Sequence, residues 1–312
     1  MSLNTDSIEK YHKPLYRASW GLVVYTVIII AWGAWVRISG SGDGCGEHWP
    51  LCHGAAVPLG ATQKTWIEVS HRYSTAIFGL LVLLQIFFVR RFTEINNPAR
   101  RWVWWTLLFT VTEALIGRSL VKNGLVNESE SLSRLIVMPL HLVNTSLLLL
   151  SEVMTAEAIR FGTRARTELA AAQRKYLAAI LAGIVILLTT GAIAALGSHL
   201  LPSKSLAEGL LHDFSSETHL AVRLRVIHPI LGLLIPMALW ISVSSSLNQQ
   251  IEQPTQASAV LKHLGLGAAA TVFIGLLTLG FLAPVGLKLS HLIAANILVI
   301  LASRCVFHLR QG

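Results

Sequence analysis

Apolar residues run through this chain in long blocks, and polar residues collect in the short stretches between them. Segments near 17–38, 66–89, 102–121, 134–158, 176–197, 220–245, 261–281 and 285–307 each approach the ~20 residues a helix needs to cross hydrocarbon. The pattern predicts an all-α integral membrane protein with eight transmembrane helices. The third block carries Glu113 and Arg118, and only Pro284 separates the last two. Basic residues ahead of the first block and Ser39-Gly40-Ser41 at its end outline a signal peptide. The block nevertheless exceeds the ~7–15 residue core of a cleaved signal, so it reads as a retained helix.

Composition agrees with that reading. Hydrophobic residues make up 53% of the chain and charged residues 13%, against roughly a quarter in soluble domains; mean hydropathy is +0.60. The net charge of +9 is spread over short loops, which speaks against a nucleic-acid partner. Arg90, Arg91, Arg100 and Arg101 cluster in one loop, and Arg160, Arg164, Arg166, Arg174 and Lys175 in another. Lys10, Lys13 and Arg17 stand at the start. The cytoplasm retains such loops, which places both termini there and the loop of Cys45 and Cys52 on the opposite face. The short segment before the first block fits a bacterial inner (plasma) membrane.

Blocks one to four and five to eight share a weak internal repeat. Gly33-Ala34 with Gly40-Ser41 is echoed by Gly191-Ala192 with Gly197-Ser198; His71 is echoed by His228, and His141-Leu142 by His291-Leu292. The repeat predicts two pseudo-symmetric four-helix bundles, 1–158 and 159–312, related by an axis along the membrane normal. Helices two, four, six and eight then enter from one face and meet their histidines at a similar depth, about 8 to 12 Å in.

An ionisable side chain in the bilayer is costly and faces the bundle interior. One such histidine reads as an interhelical hydrogen bond. Four at one level, two per half, read as two pairs of axial ligands gripping a heme between helices. Zinc fits less well, because neither half has a second pair of ligands at that depth. The remaining histidines read mostly as solvated.

Glu68 stands three residues before His71 and on the same helical face, whereas Arg225 holds that place before His228. An acid near one heme invites chemistry; a base near the other pairs with heme propionates, as Arg72 would in its own half. Glu68 also reads as an interfacial carboxylate partnered by a nearby cation. Six residues separate Cys45 from Cys52 in the external loop, which excludes the two-residue spacing of covalent heme attachment. A structural disulfide, a redox-active one, or zinc held with His48 and His53 all remain open. Cys305 reads as a small core residue.

Gly40-Ser41-Gly42 leading to Cys45 and Trp49-Pro50-Leu51-Cys52, then Glu68-Val69-Ser70-His71-Arg72, with His141, His228 and His291 in the expected helices, resemble the heme A synthase family over nearly all eight blocks. The resemblance implies an oxidoreductase that converts a methyl group of heme O to the formyl group of heme A. It implies substrate heme between His71 and His141, a heme b cofactor between His228 and His291, Glu68 as the catalytic acid, and a Cys45–Cys52 pair. Heme O synthase would deliver substrate; the electron donor and any homo-oligomer stay open. The chain departs from the family at Pro229, where arginine is common, at Glu113, where glutamine is common, and in lacking a second cysteine pair after block five. Two other classes use the same ligands: a di-heme cytochrome b that exchanges electrons with quinol, and a heme transporter.

Overall fold

The structure is a computed structural model that describes residues 5–126, 129–162, 171–247 and 256–309. Arg164 and Arg166 lie outside the described residues, as does the side chain of Lys10. Among the described residues there are ten helices and no strand: α1 (Thr5–Ile38), α2 (Gln63–Phe92), α3 (Ala99–Lys122), α4 (Leu132–Phe161), α5 (Ala171–Leu200), α6 (Leu206–Phe214), α7 (Leu220–Leu224), α8 (Ile227–Leu247), α9 (Gln256–Gly280) and α10 (Val285–Leu309). Helices are the expected outcome for long apolar blocks, since hydrocarbon offers no partner for an unpaired backbone N–H or C=O.

Seven segments are long and apolar enough to cross a membrane, which makes the chain a multi-pass membrane protein. The expected third block forms α3, but its three tryptophans, threonines and charged residues leave it outside that set. Helix α1 starts a dozen residues before the block at 17–38, because polar residues around Pro14 continue the helix. The sixth block is interrupted. Pro229 has no N–H to give the carbonyl of Arg225, which instead takes a 3.3 Å bond from the backbone N–H of His228. Helix α7 therefore stops at Leu224, and α8 restarts at Ile227 with the proline in its first turn.

The described residues form two compact units. The first holds 5–126 with 144–162, and the second holds 129–143 with 171–247 and 256–309. In the first, α2 packs on α1 and α3, and the last part of α4 is enclosed on every side: residues 151–159 are all buried, Glu152 and Glu157 among them. Thr62 caps α2, accepting from the N–H of Thr65, and Arg90 and Arg91 complement the negative end of the same helix. In the second unit α10 packs on α9, and α5 packs on α7 and α8. The loop after α5 folds into α6, started by Ser205, whose hydroxyl accepts from the N–H of Glu208, while the Glu208 carboxylate accepts from the N–H of Lys204.

Gly197 shows how tightly the second unit is drawn. A Cβ at this position of α5 would lie 2.5 Å from the carbonyl oxygen of Ala221 on α7, closer than non-bonded carbon and oxygen allow. Gly197→Ala must push α7 away, and overpacking of this kind costs about 1–3 kcal/mol. The expected outcome is a lower unfolding midpoint for the detergent-solubilised protein; an unchanged midpoint would contradict this close approach.

Candidate functional site

Unit one gathers its loop chemistry around Glu68. The carboxylate is buried near the start of α2, 3% exposed. Its Oε2 accepts the backbone N–H of Cys45 at 2.8 Å. Its Oε1 accepts Nε of Arg72 at 3.1 Å and a terminal nitrogen at 2.5 Å, one helical turn on. The other terminal nitrogen of Arg72 donates to the carbonyls of His48 and Leu51, at 2.6 and 2.8 Å. Cys45 and Cys52 form a disulfide, packed on Val69. The carboxylate, the arginine and the bridge thus fasten the segment between α1 and α2 onto the helix that carries His71. With both cysteines in the disulfide, neither is a thiolate for zinc, and among the described residues no three His, Cys, Asp or Glu side chains group to hold a metal ion.

Unit two uses the same device with different residues. Arg225, between α7 and α8, donates through Nε to Asp213 at 2.5 Å, to the carbonyl of Leu201 at 2.9 Å, and to Ser203 and the carbonyl of Gly209 at 3.1 Å each. The loop of α6 is thereby fastened beside His228. Asp213 is a residue that sequence reasoning missed: it stands twelve positions before its partner, and only the fold of α6 brings the two together. Arg72, expected as a propionate partner, makes two of its bonds to Glu68 on its own helix and two to loop carbonyls, and Arg225, expected likewise, makes its four to the segment of 201–213.

Three of the four histidines rest on a glycine of a neighbouring helix. A Cβ on Gly33 of α1 would lie 2.9 Å from Cε1 of His71; on Gly191 of α5, 3.0 Å from Cε1 of His228; on Gly275 of α9, 2.9 Å from Cε1 of His291. The repeated Gly-Ala pair at 33 and 191 therefore has a cause: the missing side chain is the space the imidazole occupies. His141 stands on α4 two residues after Pro139. It belongs to the second unit and His71 to the first.

Within the second unit His228 and His291 come together, their ring centres 6.1 Å apart and their planes at 69°. Two imidazoles on opposite sides of one iron, each at a bond of about 2 Å, hold their ring centres about 6 Å apart. Thr190 lies 3.2 Å from Nδ1 of His228, which orients the ring and leaves Nε2 for a metal. The donor set and spacing fit a heme iron.

A further polar group lies on α3 and α4. Glu113 accepts a 2.6 Å bond from the amide of Asn144 and a short one from the hydroxyl of Thr145; Thr112 donates to Asn144 at 2.7 Å. These residues stand one turn past His141 along α4.

The buried ion pair gives a direct test. Removing one partner of such a pair costs about 3–5 kcal/mol, because the other charge is left in a poor solvent. Arg72→Ala is expected to lower the unfolding midpoint and to speed protease cleavage between residues 46 and 62, with Arg72→Lys recovering only part of the loss. Cleavage at the unaltered rate would show that Arg72 does not hold the loop.

Residues 16–303 match the family described as cytochrome oxidase assembly protein. A protoheme IX farnesyltransferase of Thermus thermophilus is 32% identical over 277 residues, which is 89% of this chain and 45% of that protein. A heme A synthase of Exiguobacterium sibiricum is 28% identical over 171 residues, 54% of this chain and 56% of its own. One of Bacillus cereus is 35% identical over 98 residues, 31% of this chain and 32% of its own. The chain thus spans less than half the length of the Thermus relative. With nearly its whole length inside the match, the chain belongs to the cytochrome oxidase assembly protein family.

Proposed function

We propose that this protein is a heme A synthase, an oxidoreductase that turns a methyl group of heme O into the formyl group of heme A. The observation that carries the reading is the His228–His291 pair, with ring centres 6.1 Å apart inside a membrane-helix unit, in a chain of this family. The heme A synthase relatives support the choice of reaction.

In this reading His228 and His291 hold a heme b, which supplies electron transfer when bound, and Gly191, Gly275 and Thr190 fix the two rings. His71 and His141 are assigned to the substrate heme on the family pattern. Both oxygens of Glu68 accept hydrogen bonds from N–H donors, so the group is held as an anion, suited to stabilising positive charge at the reacting carbon. Arg72 and Arg225 keep the two loops in place. We further propose eight spans in two pseudo-symmetric halves, 1–158 and 159–312, with α3 as the third span. Both termini face the cytoplasm of a cell whose inner membrane carries the protein, and the disulfide loop faces outward. The Thermus relative named for heme farnesylation makes a heme O synthase the natural source of substrate.

The test is expression in cells that make heme O but not heme A, followed by extraction and chromatography of the hemes. The expected outcome is appearance of the formyl product, with Glu68→Ala lowering it by about a hundredfold or more. Unconverted heme O beside tightly bound heme would instead identify an electron carrier, and weak binding without conversion a transporter. His228→Ala is expected to remove the absorbance of the second bound heme.

A further inference from the structure

The last two thirds of α4 carry a line of buried polar side chains that no part of the reading above uses. Asn144 and Thr145 form one end of it, one turn past His141, bonded to half-buried Thr112 and Glu113 of α3. Farther along, Thr106 of α3 donates to Ser151 at 3.1 Å, and Thr26 of α1 meets Glu152 at 2.9 Å. Ser19 and Gln85, bonded at 3.1 Å, follow, and exposed Arg160, bonded to Tyr16, marks the end of the helix. Ser146, Glu152 and Glu157 are buried along the same stretch.

Glu152 is the unusual member. It is fully buried, and its Oε2 takes no hydrogen bond from any described residue. Thr26 has one hydroxyl proton but two oxygen neighbours, Oε1 of Glu152 and the carbonyl of Leu22. A proton on Glu152 satisfies both contacts: the acid donates to Thr26, and Thr26 donates to Leu22. Oε2 then keeps an unused acceptor.

Among the described residues, the second unit shows no such line. Counting from His291 as from His141, the places of Asn144, Thr145, Glu152 and Glu157 are taken by Ala294, Ala295, Ala302 and Phe307. Of the buried polar residues of α10, Asn296 and Ser303 bond to carbonyls of their own helix, and His308 stands at its end. Polar groups that merely join helices would serve either unit; a line confined to one of them serves what that unit does.

We propose that Glu152 lies on a proton path along α4, leading from the arginine-bearing end of the helix toward its polar turn at Asn144 and Thr145. This rests on the reading of the chain as a methyl-oxidising enzyme, for turning a methyl into a formyl group removes hydrogen from carbon, and protons must then cross between the site and water. Each step is proton transfer alone: an O–H bond breaks on one carboxyl group or water as another forms on the next, and no electron moves. The rise from Glu152 back to Thr145 is about 10 Å, a gap the path needs water to bridge; the hydroxyls of Ser146 and Ser151 stand within it. Intramembrane carboxylates commonly mark such routes.

Two measurements on the full-length, heme-loaded protein test this. In the heme O conversion assay, Glu152→Gln is expected to slow product formation about tenfold to a hundredfold, with heme content unchanged, and Glu152→Asp to restore most of it. Glutamine keeps the hydrogen bonding but carries no proton, so a Glu152→Gln protein that converts at the unaltered rate overturns the path. Infrared spectroscopy supplies a readout apart from activity. A protonated-carboxyl stretch, lost in Glu152→Gln, is expected to shift promptly on transfer to D₂O. A missing or non-exchanging band also overturns the path. If the unaltered protein makes no formyl product, the enzyme reading fails, and the infrared result then decides the path alone.

Discussion

A polar side chain taken out of water must find its partners inside the protein, and in hydrocarbon no surface offers an alternative. This constraint explains where several of the buried charged residues end up. Glu68 has Arg72 and the N–H of Cys45; Arg225 has Asp213 and the carbonyls of its loop; Glu113 has Asn144 and Thr145. In both units a guanidinium collects the carbonyls of an irregular segment that would otherwise leave them unsatisfied at the end of a span. An arginine suits this because its planar fork reaches several acceptors at once, which an ammonium cannot do.

The same constraint shapes the histidines. An imidazole between apolar helices needs room as well as a partner, and at three positions the room is a glycine directly opposite the ring. A larger side chain at Gly33, Gly191 or Gly275 would turn the ring away from its present direction. In the second unit the rings of His228 and His291 come within 6.1 Å of each other between centres, the spacing that the proposed heme ligation asks for.

Much of the architecture was legible because the period of a membrane helix is its length: apolar blocks of about twenty residues name themselves. Their ends were less so, since helix α1 runs on to Thr5 through polar residues that no hydropathy pattern includes. The break at Arg225 follows from Pro229, whose missing N–H leaves the carbonyl of Arg225 without its helical partner. Within the site, the Glu68–Arg72 pair follows from a spacing of four on one helix. The Asp213–Arg225 pair does not, because it depends on how the α6 loop returns on itself. Glu152 was hidden for a different reason: it lies in a block otherwise apolar enough to be counted as a span, and only burial without a full set of partners distinguishes it.

These differences bear on why the halves of such a chain need not do the same work. Arg225 with Asp213 matches Arg72 with Glu68 as a fastening for a loop, so the presence of one acid does not by itself set the first unit apart. What does so is the kind of hydrogen bond that the fourth helix of each half makes. In the second unit Asn296 and Ser303 turn to their own backbone, which fits the proposed role of that half in passing electrons. In the first the polar residues of α4 reach across to α1 and α3, and a carboxyl oxygen is left open among them. Electron transfer needs fixed ligands and little else, whereas chemistry at carbon also needs protons moved. The asymmetry of the two units is therefore better sought along α4 and α10 than beside the histidines themselves.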